Sequence, residues 1–337
     1  MKRTGYLWDD ITTFENLSLA AYKALRGKKA QPHMAEFFFH LEPQLIQLQD
    51  ELRGGYYVPG AYRCFDIYEP KPRRICAADF RDRVVHHAVC NILEPLFDRR
   101  MIYDSYACRT GKGAHAAVKR AQQFSRRWRY VLQFDVKKFF ASVDHAVLKR
   151  LLHKIIKDPS VLAILTQIID HPTGEHAVSK GLPIGNLTSQ HFANLYLNEL
   201  DHLCKDTLRI KGYVRYMDDC LVFAPNKKTL WQYLAVIEGF LQQHLHLQLK
   251  PSATRVVPVS EGIAFLGFRL FPHIVRLNQR TLRRFRRGLK NKEQAFLQGK
   301  ITTEQWVHSV SAMLAHIRHA NSLRLRQGLL SRSLLAG

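Results

Sequence analysis

The segment Gly212-Tyr213-Val214-Arg215-Tyr216-Met217-Asp218-Asp219-Cys220-Leu221-Val222-Phe223-Ala224 sets two adjacent carboxylates between two apolar, β-prone runs. The pattern predicts a tight hairpin with Asp218 and Asp219 near its turn. Like charges at that spacing repel, and apolar flanks disfavour both ionised forms. A bound divalent cation reverses this balance by supplying the opposite charge. Without one, the pair is an Asp-Asp turn on a solvated hairpin. A third carboxylate ends the apolar run Tyr130-Val131-Leu132-Gln133-Phe134-Asp135-Val136, where an acid is costly unless a cation or donor answers it. If this strand lies beside the hairpin, Asp135, Asp218 and Asp219 converge. Three such groups can hold two Mg²⁺ ions, which activate an attacking hydroxyl and stabilise a leaving phosphate.

The elements that position these acids sit in a basic chain. Its 337 residues carry a formal charge of +23, which predicts a polyanionic partner and salt-sensitive binding. The cations run through the whole chain rather than forming one amphipathic anchor, which favours nucleic acid over a membrane surface. Cys64, Cys76, Cys90, Cys108, Cys204 and Cys220 show no C-x-x-C spacing, which argues against structural zinc and a disulfide framework. No signal-like run opens the sequence and no segment reaches spanning length. A soluble, cytoplasmic protein is the expectation.

Residues 1–53 read as helical, and Gly54-Gly55 stops the last helix. Tyr62–Glu69 and Arg73–Ala77 read as strands around Pro70-Lys71-Pro72, where Lys71, Arg73 and Arg74 could clasp a triphosphate or simply protect a solvated edge. Helical spacing returns over Asp79–Phe97 and again from Ala114 to about Arg127. Between them, Arg109, Lys112 and flexible glycines suit a nucleic-acid backbone, though the P-loop spacing is missing. Asp144 reads as the cap of a helix over Ala146–Ile156. Gly181-Leu182-Pro183-Ile184-Gly185-Asn186-Leu187-Thr188-Ser189-Gln190 breaks the chain before a helix reaching about Leu208, with Asn186 or Thr188 as cap. Lys227–His244 is helical, and strands are expected at Leu245–Leu249, Thr254–Pro258, Ile263–Phe268 and Ile274–Leu277. From Gln279 the chain turns helical and strongly basic, with further helices at about 303–317 and 319–330.

Taken in order, the strand ending in Asp135, the Gly-rich helix start at 181–190 and Tyr216-Met217-Asp218-Asp219 resemble reverse transcriptases. Arg74 with Asp79–Arg83 resembles the first fingers motif, 103–113 the second, and 263–268 the primer grip. Where intron and retroviral relatives carry Gln-Gly, this chain has Ile184-Gly185-Asn186, similar to the enzymes of diversity-generating retroelements, which copy template RNA with errors at adenines. Relatives usually place Lys before the Thr of the element after the palm; here Ala253 precedes Thr254, and Lys250 or Arg255 would have to donate the proton to pyrophosphate.

The resemblance implies an α+β right-hand polymerase: an N-terminal helical extension (1–60), fingers (61–128 with part of 145–190), a palm with an antiparallel sheet (129–278) and a helical basic thumb (279–337). It implies catalysis by Asp135, Asp218 and Asp219, with two Mg²⁺ (or Mn²⁺) held by these acids and the Val136 carbonyl. It implies dNTP contacts from Lys71, Arg74, Phe140, Ile184, Gly185 and Gln190, Phe140 acting as a barrier to a 2′-hydroxyl or else packing in the core. Nucleic-acid contacts fall to Arg109, Lys112, Tyr216, Met217, Gly267, Arg283, Arg284, Arg286 and Arg287. Template RNA, its RNA/cDNA duplex and a small basic oligomeric accessory protein are the implied partners. A defence-associated or group II intron-like reverse transcriptase is a rival with the same chemistry. A non-catalytic, maturase-like RNA scaffold is a rival of another class, against which three intact acids weigh. Little chain remains after the thumb for an endonuclease domain.

Overall fold

The computed structural model describes residues 3–26, 32–68, 72–172 and 179–330. They form two compact units, each assembled from separated stretches of chain. The first takes Met1–Tyr103, Val136–Thr207 and Val236–Lys250; the second takes Asp104–Asp135, Leu208–Ala235 and Pro251–Gly337.

In chain order, the helical N-terminal region divides into α1 (Trp8–Ile11), α2 (Phe14–Leu25), α3 (Pro32–Phe39) and α4 (Leu41–Gly54). Thr13 caps α2 by accepting the Asn16 N–H, and Gly55 ends α4 at φ 74°, a left-handed turn that glycine adopts without penalty. Strands β1 (Arg63–Ile67) and β2 (Arg73–Ala77) form the basic hairpin. Cys64 and Cys76 face each other directly in its register and are joined by a disulfide. This corrects the reading of six unpaired cysteines. The spacing carries no motif, yet antiparallel pairing sets opposite Cβ atoms within bonding reach. Helix α5 (Phe80–Asp98) follows, burying Val84, Val85, Ala88 and Val89 and packing along α2.

The second unit begins with α6 (Ala114–Arg127) and β3 (Tyr130–Phe134). The chain then returns to the first unit for α7 (Phe139–Ser142), α8 (His145–His153), α9 (Pro159–Asp170) and α10 (Leu187–His202), which runs into a π-helical turn at Leu203–Thr207. Asp144 does cap α8, accepting the Val147 N–H at 3.1 Å. Helix α9 is one the sequence reading left unassigned. Its signals are ordinary: Asp158 accepts from the Ser160 and Val161 N–H groups, Pro159 occupies the first turn, and Val161, Ile164, Leu165 and Ile168 are buried at helical spacing.

The remaining elements are β4 (Gly212–Tyr216), β5 (Asp219–Ala224), α11 (Lys227–Leu245), β6 (Arg255–Pro258), β7 (Ile263–Phe265), β8 (Phe268–Leu270), β9 (Val275–Leu277), α12 (Gln279–Leu297), α13 (Thr303–Ile317) and α14 (Leu323–Leu330). The strand expected at Leu245–Leu249 does not form. Helix α11 extends through Leu245, and Leu249 makes only an isolated bridge to Val136.

Two antiparallel sheets build the second unit, one in the order β4-β5-β3-β6 and one in the order β7-β8-β9. Strand β3 is flanked on both sides, Val131 pairing with Phe223 of β5 and with Val257 of β6. Val131, Val214, Leu221 and Phe223 pack with Val118, Ala121 and Phe124 of α6 and with Phe265 and Phe268 of the second sheet. This apolar cluster holds the strand ends that carry the acids. Helix α12 buries Phe285 and Leu289 against Val310 and Ile317 of α13, leaving Arg283, Arg284, Arg286 and Arg287 exposed. Among the described residues no helix is long and apolar enough to cross a membrane.

Candidate active site

The β4–β5 hairpin closes on the pair Tyr216–Asp219, so its two-residue turn is Met217-Asp218. Asp219 is therefore the first residue of β5 rather than part of the turn. Met217 sits at φ 52°, a conformation that costs a side chain about 1–2 kcal/mol and that must be held by its surroundings. Strand β3 pairs with β5 so that Phe134 faces Cys220, which carries Asp135 to the same end of the sheet as the turn.

Burial, Asp135 and Asp219 together push the Asp218 carboxyl up to about 7. Desolvation is the largest cause, followed by the charge of Asp135 and a side-chain hydrogen bond with it, and then by Asp219. A carboxyl raised by burial and by neighbouring acids marks a site short of positive charge. The Oδ1 atom of Asp135 is buried and has no hydrogen-bond partner. An orphaned oxygen beside a buried carboxyl crowded by acids fits a hard divalent cation, so the residues match the Mg²⁺ implied by resemblance. Among the described residues no three His, Cys, Asp or Glu side chains form a self-sufficient metal cage. Mg²⁺ commonly takes one or two carboxylates and completes its shell with water and phosphate oxygens. Asp219 is exposed, and Val136, just past β3, is buried and makes an isolated bridge to Leu249.

A polar floor lies beside the acids, and the sequence reading overlooked it. Gln133 is two residues before Asp135, hence on the same face of β3. Its Nε2 donates to the Ala264 carbonyl at 2.9 Å, and its Oε1 accepts from Arg255 Nε at 3.0 Å. Arg255 is the register partner of Gln133 on β6. These residues, with Asp135, Asp219, Ser252 and Ala253, line a cavity of about 300 Å³. A Gln inside an otherwise apolar strand was the available signal: a buried amide needs partners. Arg255, considered as a proton donor, is thus tied to the sheet beside two of the acids.

The residues expected to meet a dNTP belong to the first unit. Lys71 lies outside the described residues. Arg74 is exposed on β2. Two residues on, the Cys76 N–H donates to the Ile184 carbonyl at 2.9 Å, tying the hairpin to the Gly-rich segment. Asn186 stands at the N-cap of α10 but makes no cap bond; its side chain accepts from the Ala78 N–H and donates to the Cys76 carbonyl. Gly185, at φ 124°, would drive any Cβ to 2.8 Å from Ile75. Leu182 N–H donates to the Phe140 carbonyl at 2.7 Å, which brings Phe140 to the same segment. Phe140 is half-buried, edge-on to the buried Phe139, and Gln190 lies half-buried on the first turn of α10. Main-chain hydrogen bonds thus join the hairpin that carries Arg74, and Phe140, to the segment around Ile184 and Gly185.

The residues expected to meet nucleic acid belong to the second unit. Arg109 Nη1 donates to the Ser105 carbonyl at 2.8 Å, and Lys112 lies over the Tyr106 ring at 5.1 Å, so both help shape their loop. Tyr216 is half-buried, its phenol raised by desolvation and by Cys108. Leu266 and Gly267, both at positive φ, make the two-residue β7–β8 turn. The Gly267 carbonyl accepts the Asn278 N–H, and a Cβ on Gly267 would lie 3.0 Å from Thr281 Oγ1, which joins the turn to the start of α12. Gly267→Ala should therefore lower the melting temperature by several degrees, through a strained φ and a crowded helix start. A thermal scan checks this.

The chain thus brings an acid just past a central strand and a carboxylate hairpin to one end of an antiparallel sheet, and carries a basic helical tail. The family model described as "Reverse transcriptase (RNA-dependent DNA polymerase)" matches residues 69–270, and the chain belongs to this family of RNA-directed DNA polymerases. Among curated relatives, Protein YkfC of Escherichia coli is 27% identical over 277 residues, spanning 68% of this chain and 72% of that one. The Group II intron-encoded protein LtrA of Lactococcus lactis is 27% identical over 167 residues, covering 48% of this chain and 28% of its own. The chain thus spans less than a third of that intron protein. Apo telomerase from Candida tropicalis shares the right-hand fold at a TM-score of 0.51 and 13% identity, over 64% of this chain and 55% of that one.

Proposed function

We propose that the chain copies a template RNA into cDNA, with Asp135 and Asp218 as the catalytic acids and Asp219 beside them. The observation that carries this reading is the meeting of Asp135 with the Asp218-Asp219 turn at one end of the sheet, where a buried Asp135 oxygen has no hydrogen-bond partner. Divalent cations held by Asp135, Asp218 and the Val136 carbonyl would neutralise these acids and the phosphates brought to them. The primer 3′-hydroxyl attacks the α-phosphate of a dNTP and pyrophosphate leaves. Arg74 and Lys71 bind the triphosphate, Phe140 excludes a 2′-hydroxyl, and Ile184 and Gly185 border the templating pair. The stretches 61–128 (with part of 145–190), 129–278 and 279–337 serve as fingers, palm and thumb. Primer extension on RNA with dNTPs and Mg²⁺ or Mn²⁺ tests the assignment; no incorporation with either ion would reject it.

The finer reading is a diversity-generating retroelement enzyme, supported by Ile184 in place of a polar Gln. An apolar side chain cannot donate the hydrogen bond that holds a pair in register, so correct and incorrect pairs differ less in the transition state. One such bond is worth roughly 0.5–1.5 kcal/mol, or about two- to twelvefold in selectivity. The chain should misincorporate mainly opposite template adenine, and Ile184→Gln should reduce the errors by that factor. Sequencing cDNA from both enzymes decides it, and equal low error at all four bases would leave the intron-like reading, which the names of several of its relatives favour. In either setting the enzyme works in the cytoplasm. A small basic accessory protein would meet it through RNA, given the formal charge of +23.

A further inference from the structure

Among the described residues Arg215 is the largest fully buried side chain, at 0% exposure. Arginine is almost never buried unless its charge and donors are answered, because moving a guanidinium out of water costs several kcal/mol. The partners found for it are informative. Nη1 donates to the Met217 carbonyl at 3.2 Å, and Nη2 donates to Ser105 Oγ at 3.1 Å. Ser105 is itself fully buried.

The Met217 carbonyl belongs to the same rigid peptide plane as the Asp218 N–H. Fixing one end of that plane fixes where the Asp218 N and Cα sit, and so narrows the positions its side chain can take. Met217 is the residue held at φ 52°, so a donor on its carbonyl acts where the turn is least stable by itself. The other prong of the guanidinium reaches a different segment. Residues Asp104–Tyr106 lie along the free edge of β4: Arg215 N–H donates to the Asp104 carbonyl and Tyr106 N–H donates to the Arg215 carbonyl, each at 3.0 Å. That segment leads into the 107–113 loop, whose shape depends on Arg109 bonding Ser105, Gly113 N–H bonding the Tyr106 carbonyl, and Lys112 over the Tyr106 ring.

We propose that Arg215 is a positioning residue that locks the Met217–Asp218 peptide to the Ser105 segment, so that the catalytic turn and the basic 107–113 loop keep one geometry. The inference rests on the polymerase reading. Only a planar fork can serve both acceptors at once; a lysine ammonium at the end of a flexible stem can reach one or the other. Main-chain pairing of β4 with residues 104–106 does not need the side chain, so the strand edge stays closed when the fork is lost.

The test is Arg215→Lys in the full-length chain, with Ser105→Ala as a second variant that leaves the arginine and its Met217 contact in place. Steady-state dNTP incorporation on primed RNA is measured against Mg²⁺ concentration, beside RNA affinity and melting temperature. Groups that orient a metal ligand from behind typically cost 10- to 100-fold in metal affinity or activity when removed. Arg215→Lys should therefore lower kcat about 10- to 100-fold and raise half-saturating Mg²⁺ several-fold, with KM for dNTP and RNA affinity unchanged. Ser105→Ala should shift both quantities the same way by less. Parental kcat and Mg²⁺ dependence in Arg215→Lys would overturn the proposal. So would a loss of kcat matched by lost RNA affinity at unchanged Mg²⁺ dependence, which marks a purely structural role. Should Arg215→Lys not fold, Ser105→Ala decides alone: a raised Mg²⁺ requirement supports the proposal and a parental one overturns it. An inactive parent enzyme would instead refute the polymerase reading on which it stands.

Discussion

Asp218→Asn should lower Mg²⁺-dependent dNTP incorporation by about 10³-fold or more and leave RNA binding nearly intact. A carboxylate that answers a cation stabilises charge developed in the transition state, whereas RNA is held by phosphate contacts spread over the chain. Asp135→Asn should do the same. The variant also separates chemistry from folding through the sign of its stability effect. The folded Asp218 carboxyl titrates near 7, against 3.8 for an ordinary aspartate. Between those values the folded chain keeps a proton that the unfolded chain has lost, so stability falls as pH rises towards 7. Above 7 the ionised group is carried at full cost unless a cation relieves it. In EDTA at pH 8, Asp218→Asn should melt higher than the parent, by about 1–3 kcal/mol of stability after allowance for partial solvent access. At pH below about 4 the gain should vanish. Adding Mg²⁺ should stabilise the parent and not the variant. Primer extension and thermal scans provide both readouts, and retained activity would dismiss these acids as the catalytic pair.

Replacing Arg283, Arg284, Arg286 and Arg287 with Gln should weaken RNA binding about 10- to 100-fold at moderate salt. These four side chains are exposed on α12, while Phe285 and Leu289 on the other side of the helix hold it to α13. The substitutions therefore change charge with little change in packing. Each phosphate contact contributes about 0.7–0.9 to the slope of log affinity against log salt, so losing four flattens it by about 3. Fluorescence anisotropy across a salt series measures it. An unchanged slope would place this face of the helix away from RNA.

What could be read from the sequence follows how local each signal was. Helices α6 and α13 run over Ala114–Arg127 and Thr303–Ile317, as their periodicity indicated, and the β4–β5 hairpin announced itself through alternating apolar residues around two acids. These signals lie within a single element. The Cys64–Cys76 bond, the Gln133–Arg255–Ala264 floor and the Arg215–Ser105 link depend on residues brought together by strand register or by distant segments. Spacing along the chain does not encode such meetings. Leu245–Leu249 misled for a related reason: a short apolar run suits a strand or a helix end alike, and only its partners decide.

Strand β3 also imposes an order of events on synthesis. Its neighbours in the sheet are β5 and β6, so Val131 must wait for Phe223 and then for Val257. At typical translation speeds that interval is roughly 6–25 s for the later partner. Until the first partner is made, a largely apolar five-residue segment has both edges open, the situation in which nascent chains stick to one another. Arg126, Arg127 and Arg129 precede the segment and Lys137 and Lys138 follow it. Five cations bracketing Tyr130–Phe134 repel a second copy of the same strand, so the charge that suits RNA also keeps the half-made protein from pairing with its siblings on the polysome.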